Sequence, residues 1–222
     1  MVKEVNGRAD VRSVSLAWAQ SSFHYAASAV AHRGMDIVGA LAGIALLALP
    51  MIAIAVLVKI TSPGPVLFHQ VRFGRNSKPF TMIKFRSMCV DAPQKASQHF
   101  TKKERQKFLT PIGKFLRHTS LDELPQLFNV LVGQMSFVGP RPMAETDMNV
   151  VRLRQLSGAD QVRPGITGLA QIHGRNHISD IAKATYDEVY CEHISIWFDL
   201  KIMVRSVIVV SEQTGINPKS EE

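Results

Sequence analysis

Cysteine and acidic charge are both in short supply in this 222-residue sequence. The two cysteines, Cys89 and Cys191, lie far apart and in no metal-ligand spacing. That pattern excludes a disulfide framework and favours a reducing compartment. Only 18 acidic residues oppose 26 lysines and arginines, so the formal net charge is +8. This balance favours anionic partners, such as phosphorylated metabolites, nucleic acid or an anionic membrane surface.

Common phosphate-binding and metal-binding signatures are also missing. The sequence has no G-x-G-x-x-G, and Gly113-Lys114 lacks the other residues of a Walker A motif. His173 and His177 are four residues apart, but the intervening Gly174 argues against a helix and no third ligand is evident. The basic part of the chain does not match the RNA-recognition signature. We therefore expect no histidine metal site and no nucleic-acid partner.

Apolar residues are abundant, at 46% of the chain, and they are concentrated between Gly34 and Val58. Asp36 is the only charge in this run, which is long enough to cross ~30 Å of hydrocarbon. Pro50 removes a backbone hydrogen bond, so the helix should kink or break there and either span or turn back. Several cations follow the run and only Arg33 closely precedes it, which places the C-terminal body in the cytosol.

The remaining sequence predicts a mixed α/β body that is mostly helical. Strand-like stretches cover 66–71 and 80–85, and helical spacing covers 94–109, 121–131 and 143–156. The glycine-rich stretch 162–174 is expected to be irregular. The apolar stretch 194–210 predicts either a core helix or an interfacial helix with Trp197 at the lipid headgroups.

Positive charge is concentrated in residues 72–117, which hold twelve lysines and arginines against two acidic residues. The lysine-rich part, 95–107, is equally consistent with a solvated basic face. Lys84, Arg86 and Arg117 differ because they stand in apolar or structured contexts, where a cation usually meets a buried anion or ligand.

Two carboxylates stand side by side at Asp122 and Glu123. Ser120 and Glu123 have capping-box spacing, but Pro125 favours a helix start at Asp122 or Glu123. Asp122 is then either a simple N-cap or one half of a carboxylate pair near Arg117, suited to a phosphate–Mg²⁺ site. The helix N-terminus and Arg117 are expected to keep Asp122 ionised.

Two further loops have residues suited to anion binding. Arg141 lies between two prolines, which stiffen the backbone and pre-set its guanidinium for a planar anion such as phosphate. Arg163–Gln171, followed by Gly174-Arg175, offers glycines and exposed amides. A surface turn is the alternative interpretation of both loops.

Five motifs occur in the order of one protein family: TSPGPVLF at 61–68, KFRSM at 84–88, TSLDELPQLFNV at 119–130, VGPRP at 138–142 and PGITGLAQ at 164–171. Over residues 33–210 the chain resembles the bacterial sugar transferases, the monotopic phosphoglycosyl transferases. Its size resembles the minimal form, without the multi-spanning N-terminal region of larger relatives.

The resemblance implies a reaction in which a UDP-sugar donates its sugar 1-phosphate to polyprenyl (undecaprenyl) phosphate and UMP is released, the initiating step of exopolysaccharide, capsule or glycoconjugate synthesis. It implies Mg²⁺, with Asp122 and Glu123 as the catalytic and metal-binding dyad. We expect an aspartyl phosphosugar intermediate on Asp122. The expected substrate-binding residues are Lys84, Arg86, Arg117, Arg141 and Arg175.

The same resemblance implies an N-terminal extension at 1–32, a re-entrant membrane helix at 33–59 broken at Pro50, and a catalytic domain at 60–222. The catalytic domain would lie on the cytoplasmic face of the bacterial inner membrane. Three residues depart from the family pattern: Leu49 before the proline, Ser77 at a usual glycine, and Gln134 at a usual acidic residue.

Two other classes of protein stay open at this point. One is a membrane-tethered protein that binds nucleic acid or anionic lipid through the basic segment, with strongly salt-dependent affinity. The other is a non-catalytic scaffold of a polysaccharide assembly complex, although the intact Asp122-Glu123 pair counts against it. The sequence leaves open the sugar, the carrier length, and whether the chain forms a homo-oligomer.

Overall fold

The computed structural model describes residues 11–93, 101–174 and 178–211. The mixed, mostly helical architecture expected from the sequence is confirmed. Its helices and strands are, in chain order, α1 (Val11–Thr61), β1 (Leu67–Phe73), β2 (Pro79–Phe85), α2 (Lys102–Phe108), α3 (Gly113–Thr119), α4 (Gln126–Leu131), β3 (Ser136–Val138), α5 (Met148–Ser157), β4 (Gly165–Thr167), α6 (Leu169–Ile172), α7 (Asp180–Glu192) and α8 (Ile196–Ser211).

The apolar run lies inside α1, which reaches further toward the N-terminus than the run itself. From Ala29 to Thr61 this helix is long and apolar enough to cross a membrane, and no other helix of the described residues is. The helix continues through Pro50, so the proline does not end it, and the re-entrant course stays a prediction. Within the apolar run one face is exposed and apolar, and it includes Val38, Leu46, Leu49 and Ile52.

Charged side chains attach the start of the apolar run to the rest of the protein. Arg33 donates hydrogen bonds to the carbonyls of Val130 (2.6 Å) and Leu131 (2.7 Å), at the end of α4 where helical carbonyls lack intrahelical partners. The buried carboxylate of Asp36 accepts hydrogen bonds from the Ser136 hydroxyl (2.9 Å) and from the backbone N–H of Phe137 (3.1 Å).

The end of the run packs into an apolar cluster of the globular body. Ile54 and Val58 are buried there against Phe85 of β2 and Leu116 of α3. Because polar bonds hold one end of the apolar run and apolar packing holds the other, the run lies along the body instead of projecting away from it.

β1 and β2 form an antiparallel hairpin in which Leu67 pairs with Phe85 and Phe73 with Pro79. The two predicted strands are therefore confirmed, with slightly different ends. The hairpin places Lys84 of β2 directly opposite Phe68 of β1.

β3 and β4 pair in parallel, and glycine allows their backbones to approach closely. A Cβ atom on Gly165 would lie 2.2 Å from the Gly139 nitrogen, and one on Gly168 would lie 2.1 Å from the Gly139 oxygen. Close packing thus accounts for these glycines. The expectation that 162–174 is irregular is wrong in part, because it contains β4 and α6.

The predicted helices occur with different bounds. The stretch 121–131 divides into a 3-10 turn at Leu121–Glu123 followed by α4, and α5 begins at Met148 instead of residue 143. The basic helix expected over 94–109 is seen as α2, and residues 94–100 lie outside the described part of the chain.

α8 is a helix that packs on the body by one face only, so its interfacial position stays a prediction. One face is buried in the body through Asp199, Ile202 and Val209. The opposite face is apolar and exposed: Trp197 keeps 67% of its surface, and Leu200, Val204 and Val207 continue the same face.

Candidate active site

The neighbouring carboxylates lie on a tight connection between α3 and α4. Ser120 ends α3 with a left-handed φ of 58°, and Leu121–Glu123 then form the 3-10 turn. Pro125 is the N-cap of α4, so the α-helix starts beyond both carboxylates. The interpretation of Asp122 as a simple helix N-cap is therefore wrong, and Ser120 makes no side-chain capping bond.

Asp122 is buried, and loss of hydration raises the pKa of its carboxyl to about 6. This value is the net result: burial is the largest cause of the rise, the negative charge of Glu123 adds to it, and Lys84 and Arg117 oppose it. These cations do not cancel the effect of burial. A carboxyl with a pKa near 6 is still mostly ionised at pH 7, so Asp122 remains a charged group there.

Lys84 is a poorly hydrated cation beside the carboxylate pair. The pKa of its ammonium is lowered to about 8, chiefly by burial and also by the positive charge of Arg117, although Asp122 and Glu123 oppose the shift. Its Nζ lies 5.2 Å from the centre of the Phe68 ring, within cation–π distance. An incoming anion would therefore gain more from this ammonium than from a fully hydrated one.

Arg141 follows the carboxylate pair in the sequence, whereas Lys84 precedes it, and the Arg141 side chain reaches Glu123 in the folded protein. One Nη atom is 3.8 Å from a carboxylate oxygen of Glu123. The Arg141 side chain is 43% exposed and that of Glu123 is 27% exposed. A long, exposed ion pair of this kind is weak, so the guanidinium is available to a ligand.

Arg72 is the site residue that sequence reasoning missed. It is buried on β1, and burial followed by the charge of Arg141 lowers its pKa to about 10. Its guanidinium donates to the Gln70 side chain (2.7 Å) and to the Pro142 carbonyl (3.4 Å). The alternation of side chains between the two faces of β1 could have predicted this, because it places Arg72 on the same face as Gln70 and Phe68.

The other predicted cations have different surroundings. Arg117 interacts electrostatically with both Asp122 and Lys84. Arg86 is buried and donates to the carbonyls of Ser62 (2.7 Å) and Pro63, which fastens the turn after α1. A role for Arg86 in substrate binding stays a prediction, and Arg175 lies outside the described residues.

The carboxylate pair fits a magnesium ion by its chemistry. Within the described ranges no group of three or more His, Cys, Asp or Glu side chains occurs, so they hold no closed metal cage. Mg²⁺ typically takes one or two carboxylates and completes its shell with water and substrate phosphate. Asp122 and Glu123 meet that requirement without a third protein ligand.

Two of the departures from the family pattern have local explanations. Ser77 has φ 54°, a conformation that favours glycine, and its hydroxyl donates to Asp160 at 2.9 Å. Gln134 accepts a bond from the Asn129 amide (2.6 Å), a role that an acidic side chain also fills. Asn129 in turn bonds the backbone of β2 through both ends of its amide.

Comparison with known proteins gives one family. The family model for the bacterial sugar transferases matches residues 27–213. The chain is 46% identical over 164 residues to a UDP-glucose:undecaprenyl-phosphate glucose-1-phosphate transferase of Klebsiella pneumoniae, which covers 71% of this chain and 35% of that protein. It is 40% identical over 180 residues to a UDP-N-acetylgalactosamine-undecaprenyl-phosphate N-acetylgalactosaminephosphotransferase of Aeromonas hydrophila, covering 79% and 42%.

A further relative, from Caulobacter vibrioides, also has the name UDP-glucose:undecaprenyl-phosphate glucose-1-phosphate transferase. It is 38% identical over 183 residues, which is 79% of this chain and 67% of that protein. The chain thus spans less than half the length of the first two relatives and about two thirds of the third.

Proposed function

The chain belongs to the bacterial sugar transferase family, and from that premise we propose that it transfers a sugar 1-phosphate from a UDP-sugar to polyprenyl phosphate, with release of UMP. The observation that carries this proposal is the buried carboxyl of Asp122 beside Glu123, with Lys84 and Arg117 close enough to shift its pKa. The relatives are named for glucose and N-acetylgalactosamine, so the substrate class is a UDP-hexose or its N-acetylated form.

In the first step Asp122 is the nucleophile. A carboxylate oxygen attacks the β-phosphorus of the UDP-sugar and forms a new O–P bond. The bond from that phosphorus to the bridging oxygen breaks, and UMP leaves with the bonding electrons. No base is required, because the carboxylate is mostly ionised at pH 7 even with its raised pKa.

The cations around the pair allow two anions to meet. Arg117, Arg141 and Lys84 would neutralise the diphosphate, with the arginines offering bidentate hydrogen bonds that lysine lacks. Glu123 would hold Mg²⁺ together with Asp122, and the ion would neutralise further charge on the diphosphate and the departing UMP.

In the second step a phosphate oxygen of polyprenyl phosphate attacks the phosphorus bound to Asp122. The aspartyl O–P bond breaks, which restores the carboxylate and gives polyprenyl diphosphate-sugar. Burial of Asp122 supports this two-step reaction, because restricted access of water would protect the aspartyl phosphosugar from hydrolysis between the steps.

The docking of α1 supports a re-entrant course. Arg33 and Asp36 at one end of the apolar run, and Ile54 and Val58 at the other, all contact the globular body. A straight spanning helix would separate these ends by ~30 Å of hydrocarbon and would draw a charged body into the bilayer. Both ends would then lie on one side of the bilayer, and the cations that follow the run make this the cytosolic side. The exposed apolar face between the ends, which includes Leu49 beside Pro50, would be the part that enters the bilayer.

The exposed face of α8 supports a second membrane contact. Trp197 begins this apolar face, and the exposed cations Lys201 and Arg205 border it, with the Lys201 Nζ 5.6 Å from the Trp197 ring. Asp199, the only acidic residue of α8, is buried on the opposite side. An apolar stripe bordered by cations suits the surface of an anionic bilayer.

One assay tests the proposed function. The purified full chain is mixed with Mg²⁺, polyprenyl phosphate and a panel of UDP-sugars, and UMP is measured. We expect turnover with at least one UDP-hexose that depends on the lipid and is absent in Asp122→Asn. No UMP with any member of the panel would contradict the proposal. Salt-sensitive binding to nucleic acid with no response to UDP-sugars would favour the anion-binding alternative.

A further inference from the structure

The loop that carries Arg141 is fixed through its carbonyl oxygens. Pro140 and Pro142 have no N–H to donate, so the loop has few N–H groups of its own with which to bond its surroundings. The four consecutive carbonyls of residues 140–143 each accept a hydrogen bond instead. The donors are, in order, the Gly165 N–H (3.0 Å), Arg154 (2.9 Å), Arg72 (3.4 Å) and the Phe73 N–H (2.9 Å).

The donor to the Arg141 carbonyl is itself held by a buried ion pair between α5 and α7. Arg154 uses Nη1 for this carbonyl, and its Nε lies 2.8 Å and its Nη2 2.6 Å from one carboxylate oxygen of Asp187. The side chains are only 7% and 1% exposed. One planar guanidinium therefore links the α5–α7 contact to the backbone of the substrate-facing arginine.

Stability alone is a weak explanation of this pair. Two buried charges lose hydration, and well-packed apolar side chains of similar volume often give an equally stable core. An apolar pair would fill the space between α5 and α7, but it would offer no donor to the Arg141 carbonyl. Only the ion pair provides a donor that fixes the position of the Arg141 carbonyl.

We propose that Arg154, held by Asp187, is a positioning residue for Arg141 and thereby for the diphosphate of the substrate. This inference rests on the proposed function, in which Arg141 contacts that diphosphate. The Arg141 backbone is held from the buried side by Arg154, while its side chain extends toward Glu123 at the exposed side.

A double-mutant cycle tests the inference. Arg154→Lys keeps a positive charge beside Asp187, but a single ammonium cannot serve both the carboxylate and the carbonyl in the original geometry. We expect kcat/KM for the UDP-sugar to fall about 10- to 100-fold. In an Arg141→Ala background the same change should cost less than about threefold, because the group that it positions is gone.

The thermal midpoint separates positioning from folding. Arg154→Lys should lower this midpoint by the same amount in both backgrounds, although its effect on kcat/KM differs between them. Arg152→Lys is the matched control, an exposed arginine on the same helix, and should leave both quantities unchanged. An equal loss of kcat/KM in both backgrounds would overturn the inference, since Arg154 would then act without Arg141.

A readout that does not need activity keeps the inference separate from the proposed function. Amide hydrogen exchange of peptides covering residues 136–147 should be faster in Arg154→Lys than in the wild type, and unchanged in Arg152→Lys. If the wild type released no UMP, the proposed function would fail and the exchange rates alone would decide the positioning role. Unchanged exchange in Arg154→Lys would refute it.

Discussion

At the scale of the residue, burial of Asp122 should make its reaction intermediate observable. Mixing the enzyme with Mg²⁺ and UDP-sugar, without the lipid, should release at most one UMP per enzyme and add a sugar-phosphate mass at Asp122. Intact-mass and peptide spectrometry check this result. Asp122→Asn should show neither signal, whereas the exposed control Arg152→Lys should show both. Normal turnover by Asp122→Asn, or kinetics that require both substrates bound together, would contradict the covalent mechanism.

Thermal unfolding shows whether the asparagine variant is folded. Burial raises the folded pKa of Asp122 above its unfolded value. A group of this kind contributes stability below its unfolded pKa and loses it as the pH rises through the folded value near 6. Asp122→Asn should therefore have a thermal midpoint at pH 7 at least as high as that of the wild type. The difference should shrink as the pH falls from about 6 to 4.

Two shifted pKa values set the pH range of activity. Asp122 must be ionised to attack, so kcat/KM should fall as the pH drops through about 6. Lys84 must be charged to hold the diphosphate, so kcat/KM should also fall as the pH rises through about 8. Lys84→Arg keeps its charge at high pH and should remove the alkaline fall only. An alkaline fall that persists in Lys84→Arg would show that another group titrates there.

The guanidinium groups of Arg117 and Arg141 should matter through geometry as well as charge. Lysine at either position keeps the charge but loses the bidentate fork, so turnover should fall by well over tenfold while the fold stays intact. Rates of UMP release and circular dichroism check the two parts of this prediction. Arg152→Lys is again the control, and near-normal rates in both site variants would show that these arginines are peripheral.

At the scale of the element, α1 decides the topology. Because both ends of its apolar run contact the body, single cysteines near residues 25 and 65 should both be labelled from the cytosolic side only. The measurement uses an impermeant maleimide on right-side-out and inside-out vesicles, in a background without Cys89 and Cys191. Labelling of the site near 25 only from the outer side would establish a spanning helix.

At the scale of the whole molecule, the membrane contacts proposed for α1 and α8 would together define how the protein sits on the bilayer. In a Trp18→Phe background, Trp197 is the remaining tryptophan, and its fluorescence should be quenched by lipids brominated near the headgroup end of the chains. Lipids brominated at the chain ends should quench it less. The absence of quenching by either lipid would show that the apolar face of α8 does not lie in the bilayer.

The features predictable from the sequence are those whose signal is local. The apolar run, the hairpin strands and the Asp122-Glu123 pair each occupy one short stretch. The residue pattern within that stretch is enough to predict each of them. Contacts that join distant stretches were not predictable. Arg72 bonds a carbonyl 70 residues away and Arg154 bonds a carboxylate 33 residues away, and both depend on how the elements pack. Helix bounds near Pro125 also depended on tertiary packing.

The attachment of Arg33 and Asp36 has a consequence for biogenesis. Their partners lie 97 to 101 residues later in the chain, so the ribosome completes α1 well before the groups that will hold it. At synthesis rates of about 5–20 residues per second, the wait is roughly 5–20 s. The two opposite charges are three residues apart on one helical face, where they can neutralise each other in the nascent chain. We expect the globular body to fold against a helix that has already entered the bilayer.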